Sequence, residues 1–284
     1  MEHIATIGFF DGVHKGHRFL FEHLRSEADK RGLKPLIITF DEHPRAALQT
    51  DYVPQLLTTV EERKSLLTAF GEVVIMPFAE IQPLKATEFM QRLKTDYGVS
   101  VLLMGYDHRF GSDRLKHPQD YRRVGAQCGI EVLTMSEYVD GELHVSSSEI
   151  RLALENGNIV VANELLGRPY ALRGQVVHGK GLGRTIGFPT ANIEPQSPHK
   201  IIPKAGVYAA LVNTPMRDDA PAFVNIDRSG LIEVYVPSFK GDLYGQLLNI
   251  RFTRFIREEK TFSSLEELRQ QIKADVDSTL RQDA

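Results

Sequence analysis

The chain has 284 residues, of which 42% are hydrophobic, and it carries a formal net charge of -3. This length permits two domains with separate cores, and the small net charge gives no overall attraction to nucleic acid or to a membrane surface. The single cysteine, Cys128, excludes an intrachain disulfide and any metal site built from several cysteines.

The first predicted unit is a short apolar strand that ends at Gly8, followed by a turn and an amphipathic helix. His14 and His17 flank Gly16 where that helix begins. Backbone N–H groups of a first helical turn have no intrahelical partner, so a phosphate can bind there. The imidazoles could then donate hydrogen bonds to phosphate oxygens. Either histidine alone is more simply interpreted as a polar residue on a surface loop, but the spacing and the flanking elements favour a phosphate site.

The rest of the first half alternates between strand and helix patterns. Further strands are predicted at residues 36–40, 73–76, 99–104 and 131–134, and helices at residues 59–70, 86–97 and 121–128. Thr59 and Glu62 resemble a capping box. The alternation predicts a parallel sheet with helices on both faces and right-handed crossovers. Ligands of such sheets bind beyond the carboxyl ends of the strands, where the motif loops fall.

Three serines, Ser146 to Ser148, precede a predicted helix over residues 149–155. Serine at such a place is most simply a helix N-cap. Capping is compatible with phosphate binding, because free amides, hydroxyls and the side chain of Arg151 would converge on one anion. A short amphipathic helix is predicted next, over residues 158–166.

The second half has a different pattern. Short apolar strands at residues 207–212, 222–226, 231–236 and 247–252 are separated by turn residues. No helix pattern intervenes before Ser264, where a final helix over residues 264–279 begins. These features predict a small antiparallel barrel with a terminal helix. We therefore expect one domain over residues 1–166 and a second over residues 167–284.

A glycine-rich segment, GKGLGRTIGFPTANI, covers residues 179–193. It is neither a P-loop nor a dinucleotide-binding fingerprint, because it lacks GxxxxGK followed by Ser or Thr and has no βαβ context. By itself it is most simply a glycine-rich hairpin in an all-β domain. Glu233 follows on an alternating strand, where a carboxylate most simply points outward.

The motifs resemble one family in the same order along the chain. GFFDGVHKGH, FDEHP, GYDHRFG and VSSSEIR are similar to motifs of the nucleotidylyltransferase superfamily, the first most of all to its flavin adenylyltransferase branch. GKGLGRTIGFPTAN closely resembles the riboflavin kinase signature. The chain is thereby identified as a member of the prokaryotic bifunctional FAD synthetases. The resemblance implies a Rossmann-like α/β domain with a parallel sheet, followed by a small antiparallel Greek-key-type β-barrel with a terminal helix.

The resemblance also implies roles for residues of the first domain, which would adenylylate FMN with ATP and release pyrophosphate. His14 and His17 would be catalytic. His43 and Asp107 would bind substrate. The residues implied in binding ATP or its phosphates are Gly8, Phe10, Gly16, Ser147, Ser148 and Arg151.

In the second domain, which would phosphorylate riboflavin to FMN, the resemblance implies that Glu233 is the catalytic base. Thr190 and Asn192 would bind Mg²⁺, and Phe188 and Pro189 would bind substrate. The residues implied in binding ATP phosphates are Gly179, Gly181, Gly183 and Arg184.

Phe9 stands where the family more often has asparagine, a mild departure from its pattern. The loop over residues 225–230, NIDRSG, is shorter than its counterpart in the family, and two alternatives stay open. One alternative is an FMN adenylyltransferase whose barrel only binds flavin, and the other is a flavin sensor without enzymatic activity. We expect riboflavin, FMN and ATP as ligands, Mg²⁺ as cofactor, no nucleic-acid or membrane partner, and a monomer or weak homo-oligomer. The N-terminus has no signal-peptide pattern, which predicts a cytoplasmic protein.

Overall fold

The computed structural model describes residues 2–49, 51–106, 108–136, 138–140, 143–179 and 181–282. Contacts between residues divide the chain into two compact units, Met1–Ser147 and Ser148–Ala284. None of the described helices combines the length and the apolar character needed to cross a membrane.

Strands and helices alternate in the first unit. Its strands are β1 (His3–Ile7), β2 (Lys34–Phe40), β3 (Glu72–Met76), β4 (Val99–Met104), β5 (Glu131–Thr134), β6 (Val139–Asp140) and β7 (Leu143–His144). Its helices are α1 (Lys15–Arg31), α2 (Pro44–Leu48), α3 (Val60–Leu67), α4 (Phe78–Ile81), α5 (Ala86–Tyr97) and α6 (Pro118–Gln127). Helix α7 (Ser147–Glu155) begins at the last residue of this unit.

Among the described residues, β1 to β5 form one parallel sheet in the order β3-β2-β1-β4-β5. Alternate residues of β1 enter different cores. Ala5 and Ile7 pack in a cluster with α5 and α6, whereas Ile4 packs in a cluster with α1 and α3. The prediction of a parallel sheet with helices on both faces is confirmed. Neighbours of β1 lie on both sides in the sheet, so the loop after β1 starts where the strand order reverses, the usual ligand-binding position in such sheets.

The predicted capping box of α3 is present. The Glu62 backbone N–H donates to Thr59 Oγ1 at 3.2 Å, and the Thr59 N–H donates to Glu62 Oε2 at 2.9 Å. Each of two unpaired donors of the first turn thereby gains a partner, and such a cap contributes about 1 kcal/mol. The helix ends at Leu67, three residues before the predicted end at Phe70.

The second unit contains the barrel. Its strands are β8 (Tyr170–Val177), β9 (Thr190–Pro195), β10 (Gly206–Thr214), β11 (Arg217–Ile226), β12 (Ile232–Tyr235) and β13 (Leu247–Arg257). Its helices after α7 are α8 (Ile159–Leu166), α9 (Leu182–Thr185) and α10 (Leu265–Gln282). In the described part of the chain these strands close into an antiparallel barrel in the order β10-β11-β12-β9-β8-β13, and β13 pairs again with β10. The prediction of a small antiparallel barrel with a terminal helix is confirmed.

Two features of the barrel differ from the prediction. The sequence analysis predicted no strand at the positions of β8 and β9. Buried residues alternate along β8 at Tyr170, Leu172 and Val176, but the glycine-rich segment and its flanks make this alternation difficult to recognise in the sequence. The expectation that no helix occurs before Ser264 is wrong, because α9 lies inside the glycine-rich segment. A four-residue helix that contains a glycine is too short to show helical periodicity.

Candidate active sites

The first candidate site lies on the loop between β1 and α1, and Asp11 holds that loop in place. The Asp11 carboxylate is buried and accepts hydrogen bonds from the Leu57 N–H at 3.0 and 3.1 Å. It also accepts from the Thr58 N–H at 2.9 Å and the Thr58 hydroxyl at 3.0 Å. In return, the Gly12 N–H donates to Thr58 Oγ1 at 3.0 Å. The loop is thus attached to the segment before α3. Sequence analysis assigned Asp11 no role beyond a turn, because its partners lie 46 and 47 residues away.

The structure brings His14 and His17 together at the N-terminus of α1. His14 is the N-cap, and its Nδ1 accepts from the His17 backbone N–H at 3.3 Å. The two rings stack with centroids 3.5 Å apart. A Cβ at Gly16 would lie 3.3 Å from the His14 ring, which is tighter than most real contacts, so glycine suits this close approach. Two imidazoles and the positive end of a helix therefore share one place, an arrangement suited to an anion.

The Phe10 ring packs against His17, and Gly8 leaves space for that ring. The Phe10 ring is buried and contacts the His17 ring edge to face, with centroids 5.2 Å apart. A Cβ at Gly8 would lie 2.6 Å from that ring. Phe10 has a left-handed backbone at φ 53°, which is unusual for a bulky residue and indicates local strain. The Phe10 side chain therefore packs against the His17 ring.

The serine motif reaches the same loop through Ser147. Its hydroxyl donates to the backbone carbonyl oxygen of Asp11 at 2.9 Å. Ser148 and Arg151 follow on α7 in the second unit, where Ser148 is exposed and Arg151 is partly exposed. The hydroxyl of Ser147 and the two histidines are thus attached to one loop.

The predicted substrate residue His43 lies after β2, where it caps α2 by accepting from the Arg45 N–H at 3.1 Å. Its ring meets the Phe9 ring edge to face at 4.7 Å. Phe9 lines a cavity of about 520 Å³ that combines aromatic and polar residues. The aromatic residues of its lining are Phe9, Phe40, Phe78, Phe89 and Phe110, and the polar ones include His108, Arg109, Ser112 and Arg114. Asp107, the other predicted substrate residue, lies outside the described residues.

The second candidate site joins β9 and β12 of the barrel. Thr190 Oγ1 donates to Glu233 Oε1 at 3.2 Å, and Asn192 lies directly opposite Glu233 in the strand register. A Cβ at Gly179 would overlap the Asn192 amide, so only glycine lets the glycine-rich segment pass this close. The structure therefore brings Thr190, Asn192 and Glu233 together with the start of that segment. Their side chains offer two neutral oxygens and one carboxylate.

Thr190 lines two cavities of the second unit. A cavity of about 310 Å³ is lined by Thr190, Glu233, Phe188 and apolar residues of α10. A cleft of about 70 Å³ is lined by Thr190, Arg184, Pro189 and mostly apolar neighbours. Thr190 thus takes part in the lining of both the larger cavity and the smaller cleft.

Helix α10 covers the larger cavity, and a buried ion pair attaches it to β13. Arg257 donates to Asp275 Oδ2 from Nε at 2.9 Å and from Nη2 at 2.8 Å. Gln271 Nε2 donates to Asp275 Oδ1 at 2.8 Å, so both carboxylate oxygens have donors. Arg257 and Asp275 also line the cavity, and sequence analysis missed both. The sequence does show an acidic residue beside the apolar stripe of α10, but it does not indicate which residue pairs with it.

The short loop over residues 225–230 forms a closed turn. Asp227 Oδ1 accepts from the Ser229 hydroxyl at 2.6 Å, the Ser229 N–H at 2.8 Å and the Leu231 N–H at 2.9 Å. These hydrogen bonds, with the Ser229 hydroxyl first, lower the pKa of Asp227. Asn225, at the start of the loop, lies opposite Glu233 in the register and lines the larger cavity. The short loop therefore contributes Asn225 to the cavity wall.

Comparison with known proteins gives matches over both units. A family described as FAD synthetase matches residues 1–149, and one described as Riboflavin kinase matches residues 166–282. A protein of Escherichia coli (strain K12) named "Bifunctional riboflavin kinase/FMN adenylyltransferase" is 35% identical over 283 residues, which cover 96% of this chain and 90% of that protein. The protein of the same name from Pseudomonas fluorescens is 35% identical over 288 residues, with the same coverage of 96% and 90%. The solved structure "Crystal Structure of Macrolide-efflux Protein from Streptococcus pneumoniae" has a TM-score of 0.87 at 31% identity and covers 97% of this chain and 93% of that chain.

Proposed function

This chain belongs to the family of bifunctional riboflavin kinase/FMN adenylyltransferases, and we propose that its second unit phosphorylates riboflavin to FMN and its first unit adenylylates FMN to FAD. ATP is the donor in both reactions. The observation that carries the proposal is the Thr190–Glu233 hydrogen bond, because both side chains line a large, mainly apolar cavity and Thr190 also lines a smaller cleft with Arg184. A flavin ring suits the larger cavity, and a nucleotide phosphate suits the cleft beside Arg184.

For the kinase step, Glu233 accepts the proton of the riboflavin 5′-hydroxyl as its oxygen attacks the γ-phosphorus of ATP. A new P–O bond forms, the bond from the γ-phosphorus to the bridging oxygen breaks, and ADP leaves. Positioning and charge neutralisation supply most of the catalysis in phosphoryl transfer. Backbone amides of the glycine-rich segment, at Gly179, Gly181 and Gly183, and the side chain of Arg184 hold the phosphates in this proposal.

The donor set at Thr190, Asn192 and Glu233 fits Mg²⁺, a hard cation that prefers oxygen ligands and is commonly shared with substrate phosphates. In this proposal the neutral oxygens of Thr190 and Asn192 would hold the ion together with the phosphates of ATP. When bound, Mg²⁺ neutralises charge on those phosphates.

For the adenylyl step, an oxygen of the FMN phosphate attacks the α-phosphorus of ATP. A P–O bond forms between them, and the bond to the departing pyrophosphate breaks. His14, His17 and the N-terminus of α1 neutralise charge on the phosphates. The further phosphate contacts of the proposal are the backbone at Gly8, Phe10 and Gly16, with the side chains of Ser147, Ser148 and Arg151. His43 and Asp107 bind FMN, whose flavin ring takes the aromatic cavity beside Phe9.

Two predictions on organisation remain predictions: a functional boundary between residues 166 and 167, and a monomer or weak homo-oligomer. The alternatives are a barrel that only binds flavin and a sensor without activity. Against the first, Glu233 accepts a hydrogen bond from Thr190, and Asn225 at the start of the short loop lines the cavity. Against the second, both sites retain groups suited to the chemistry of phosphate transfer.

The test is a time course of the purified protein with riboflavin and Mg-ATP, with the flavins separated by chromatography, beside a reaction started from FMN. Appearance of FMN and then FAD from riboflavin supports both steps. Formation of FAD from FMN without formation of FMN from riboflavin would indicate that the barrel only binds flavin. Absence of FAD from either start would contradict the adenylyltransferase assignment.

A further inference from the structure

Arg63 is a buried charge that the proposed mechanism does not use. It lies on α3 with its side chain 0% exposed. Its Nη2 donates a hydrogen bond to the backbone carbonyl oxygen of Phe40, the last residue of β2. Within the described part of the chain, its Nε and Nη1 have no hydrogen-bond partner. Burial of a charged group with unpaired donors is unfavourable, so this position needs a reason other than stability.

The pKa of Arg63 shows the same penalty. Burial lowers it to about 10, although the charges of Asp11, Glu61 and Asp41 act in the opposite direction. An apolar side chain of similar length would fill the same space without that penalty. The hydrogen bond and the ring contact of the guanidinium therefore explain the presence of an arginine at this position better than its packing does.

The main directed contact is with Phe9. The central guanidinium carbon of Arg63 lies 4.2 Å from the centroid of the Phe9 ring, over its face. The ring also meets His43 edge to face, and the Phe9 carbonyl oxygen accepts from the Thr39 hydroxyl at 3.0 Å. A planar cation over an aromatic face restricts the orientation of both groups. Phe9 is thus held by a cation on one face, a histidine at close range and a hydrogen bond on its backbone.

Phe9 is also part of the wall of the 520 Å³ cavity. It is half-buried, whereas Arg63 is covered completely and does not line the cavity. Any effect of Arg63 on a molecule in the cavity is therefore transmitted through Phe9. Rotation of the Phe9 ring would change the shape of that wall and break its contact with His43.

We propose that Arg63 is a positioning residue for FMN adenylylation: it fixes the Phe9 ring on the wall that receives the flavin ring of FMN, and through that ring it orients the adjoining His43. The proposal rests on the adenylyltransferase function proposed above. A flavin ring is planar and aromatic, so a fixed aromatic wall gives it a stacking or edge contact whose geometry does not have to be selected on binding. Arg63 then acts on FMN binding and leaves the transfer step itself unaffected.

The test is Arg63→Met, assayed for FMN adenylylation in the full-length protein. We expect KM for FMN to rise about tenfold, because loss of a desolvated cation–π contact changes an affinity by about that factor. The value of kcat should change less than about twofold. KM for ATP and the riboflavin kinase activity of the same preparation should not change. Arg63→Lys keeps the charge and should recover part of the affinity. The matched control is Arg31→Met, which removes a partly exposed arginine paired with Glu27 and Glu131 on the same unit.

A double-mutant cycle separates action through Phe9 from a general loss of packing. If Arg63 acts through Phe9, the double variant Phe9→Ala/Arg63→Met should bind FMN no more weakly than Phe9→Ala alone. Additive losses, or an unchanged KM in Arg63→Met, would overturn the proposal. Thermal unfolding checks each variant, and if Arg63→Met does not fold, the same cycle with Arg63→Lys decides. If the wild type forms no FAD from FMN, the adenylyltransferase function on which the proposal rests is itself contradicted. That result is obtained before any variant is compared.

Discussion

Thr190 and Glu233 are joined by a 3.2 Å hydrogen bond from the threonine hydroxyl to the carboxylate, across neighbouring strands of the barrel. They are 43 residues apart in the chain. The bond orients the carboxylate in the wall of the larger cavity, and Thr190 also lines the smaller cleft. The proposed base and a proposed metal-binding oxygen are therefore adjacent.

Replacement of Glu233 by Gln should abolish most of the kinase activity. The amide keeps the size of the side chain but cannot accept a proton, and loss of a general base lowers the rate by about 10²- to 10⁴-fold. FAD formation from FMN should continue at the wild-type rate, because it takes place in the other unit. Rates of FMN and FAD formation are measured separately by chromatography. Glu194→Gln, an exposed carboxylate on β9, is the matched control, and an equal loss in that variant would contradict the role of Glu233.

Replacement of His14 by Asn should separate capping from catalysis. Asparagine is a good N-cap and can accept the His17 N–H, so the free energy of unfolding should change by less than about 1 kcal/mol. The imidazole that faces the proposed phosphate site is lost, and we expect FMN adenylylation to fall by about 10²-fold or more while the kinase activity is kept. His23→Asn, on the exposed side of α1, is the control. Normal FAD synthesis by His14→Asn would exclude His14 from the reaction.

Replacement of Asp11 by Asn should destabilise the first unit. The carboxylate accepts from two backbone N–H groups and one hydroxyl, and an amide would place a donor against these donors. We expect the free energy of unfolding to fall by about 2–4 kcal/mol, because a buried charged acceptor is lost. Urea unfolding measures the change, with the exposed Asp29→Asn as control. A stability equal to wild type would show that the loop holds its position without this carboxylate.

Replacement of Asp275 by Asn should weaken riboflavin binding. Breaking the buried pair leaves the Arg257 guanidinium without its anionic partner, and such a change costs about 3–5 kcal/mol in a fully buried pair. We expect faster hydrogen exchange in α10 and a higher dissociation constant for riboflavin, measured by quenching of flavin fluorescence. Asp277→Asn, on the exposed side of the same helix, is the control. Unchanged binding with faster exchange would show that α10 does not need this pair to cover the flavin.

Arg63 should lower the stability of the protein over most of the pH range. Because burial lowers the pKa of Arg63 to about 10 in the folded protein, well below its ordinary value, the unfolded chain binds the proton more tightly. The resulting penalty, up to about 3 kcal/mol, is fully present below pH 10 and decreases as the pH rises through 10. Arg63→Met should therefore be at least as stable as wild type in urea at pH 8, with a smaller difference at pH 10.5. A lower urea midpoint for Arg63→Met at pH 8 would show that the contacts with Phe9 and Phe40 outweigh the penalty.

Much of each site could be predicted from the sequence because its parts are local. The histidines lie three residues apart at a helix start, and a capping residue brings both to one turn of α1. The pair Thr190 and Asn192 alternates on one strand, so both side chains share a face. What the residues bind came from the resemblance of whole motifs, since the same short patterns also occur as caps and hairpins.

The sequence by itself determined the two fold classes, the order of most elements and the segments that carry the chemistry, because hydrophobic periodicity and turn residues act over a few neighbouring positions. Only the tertiary structure decided the partners of Asp11, Arg63 and Asp275, which come from other segments of the chain. A buried charge is stable only beside particular donors, acceptors or rings, and which of these meet it depends on how distant elements pack. That is also why the contact between Arg63 and Phe9 could not be predicted from either residue's neighbours.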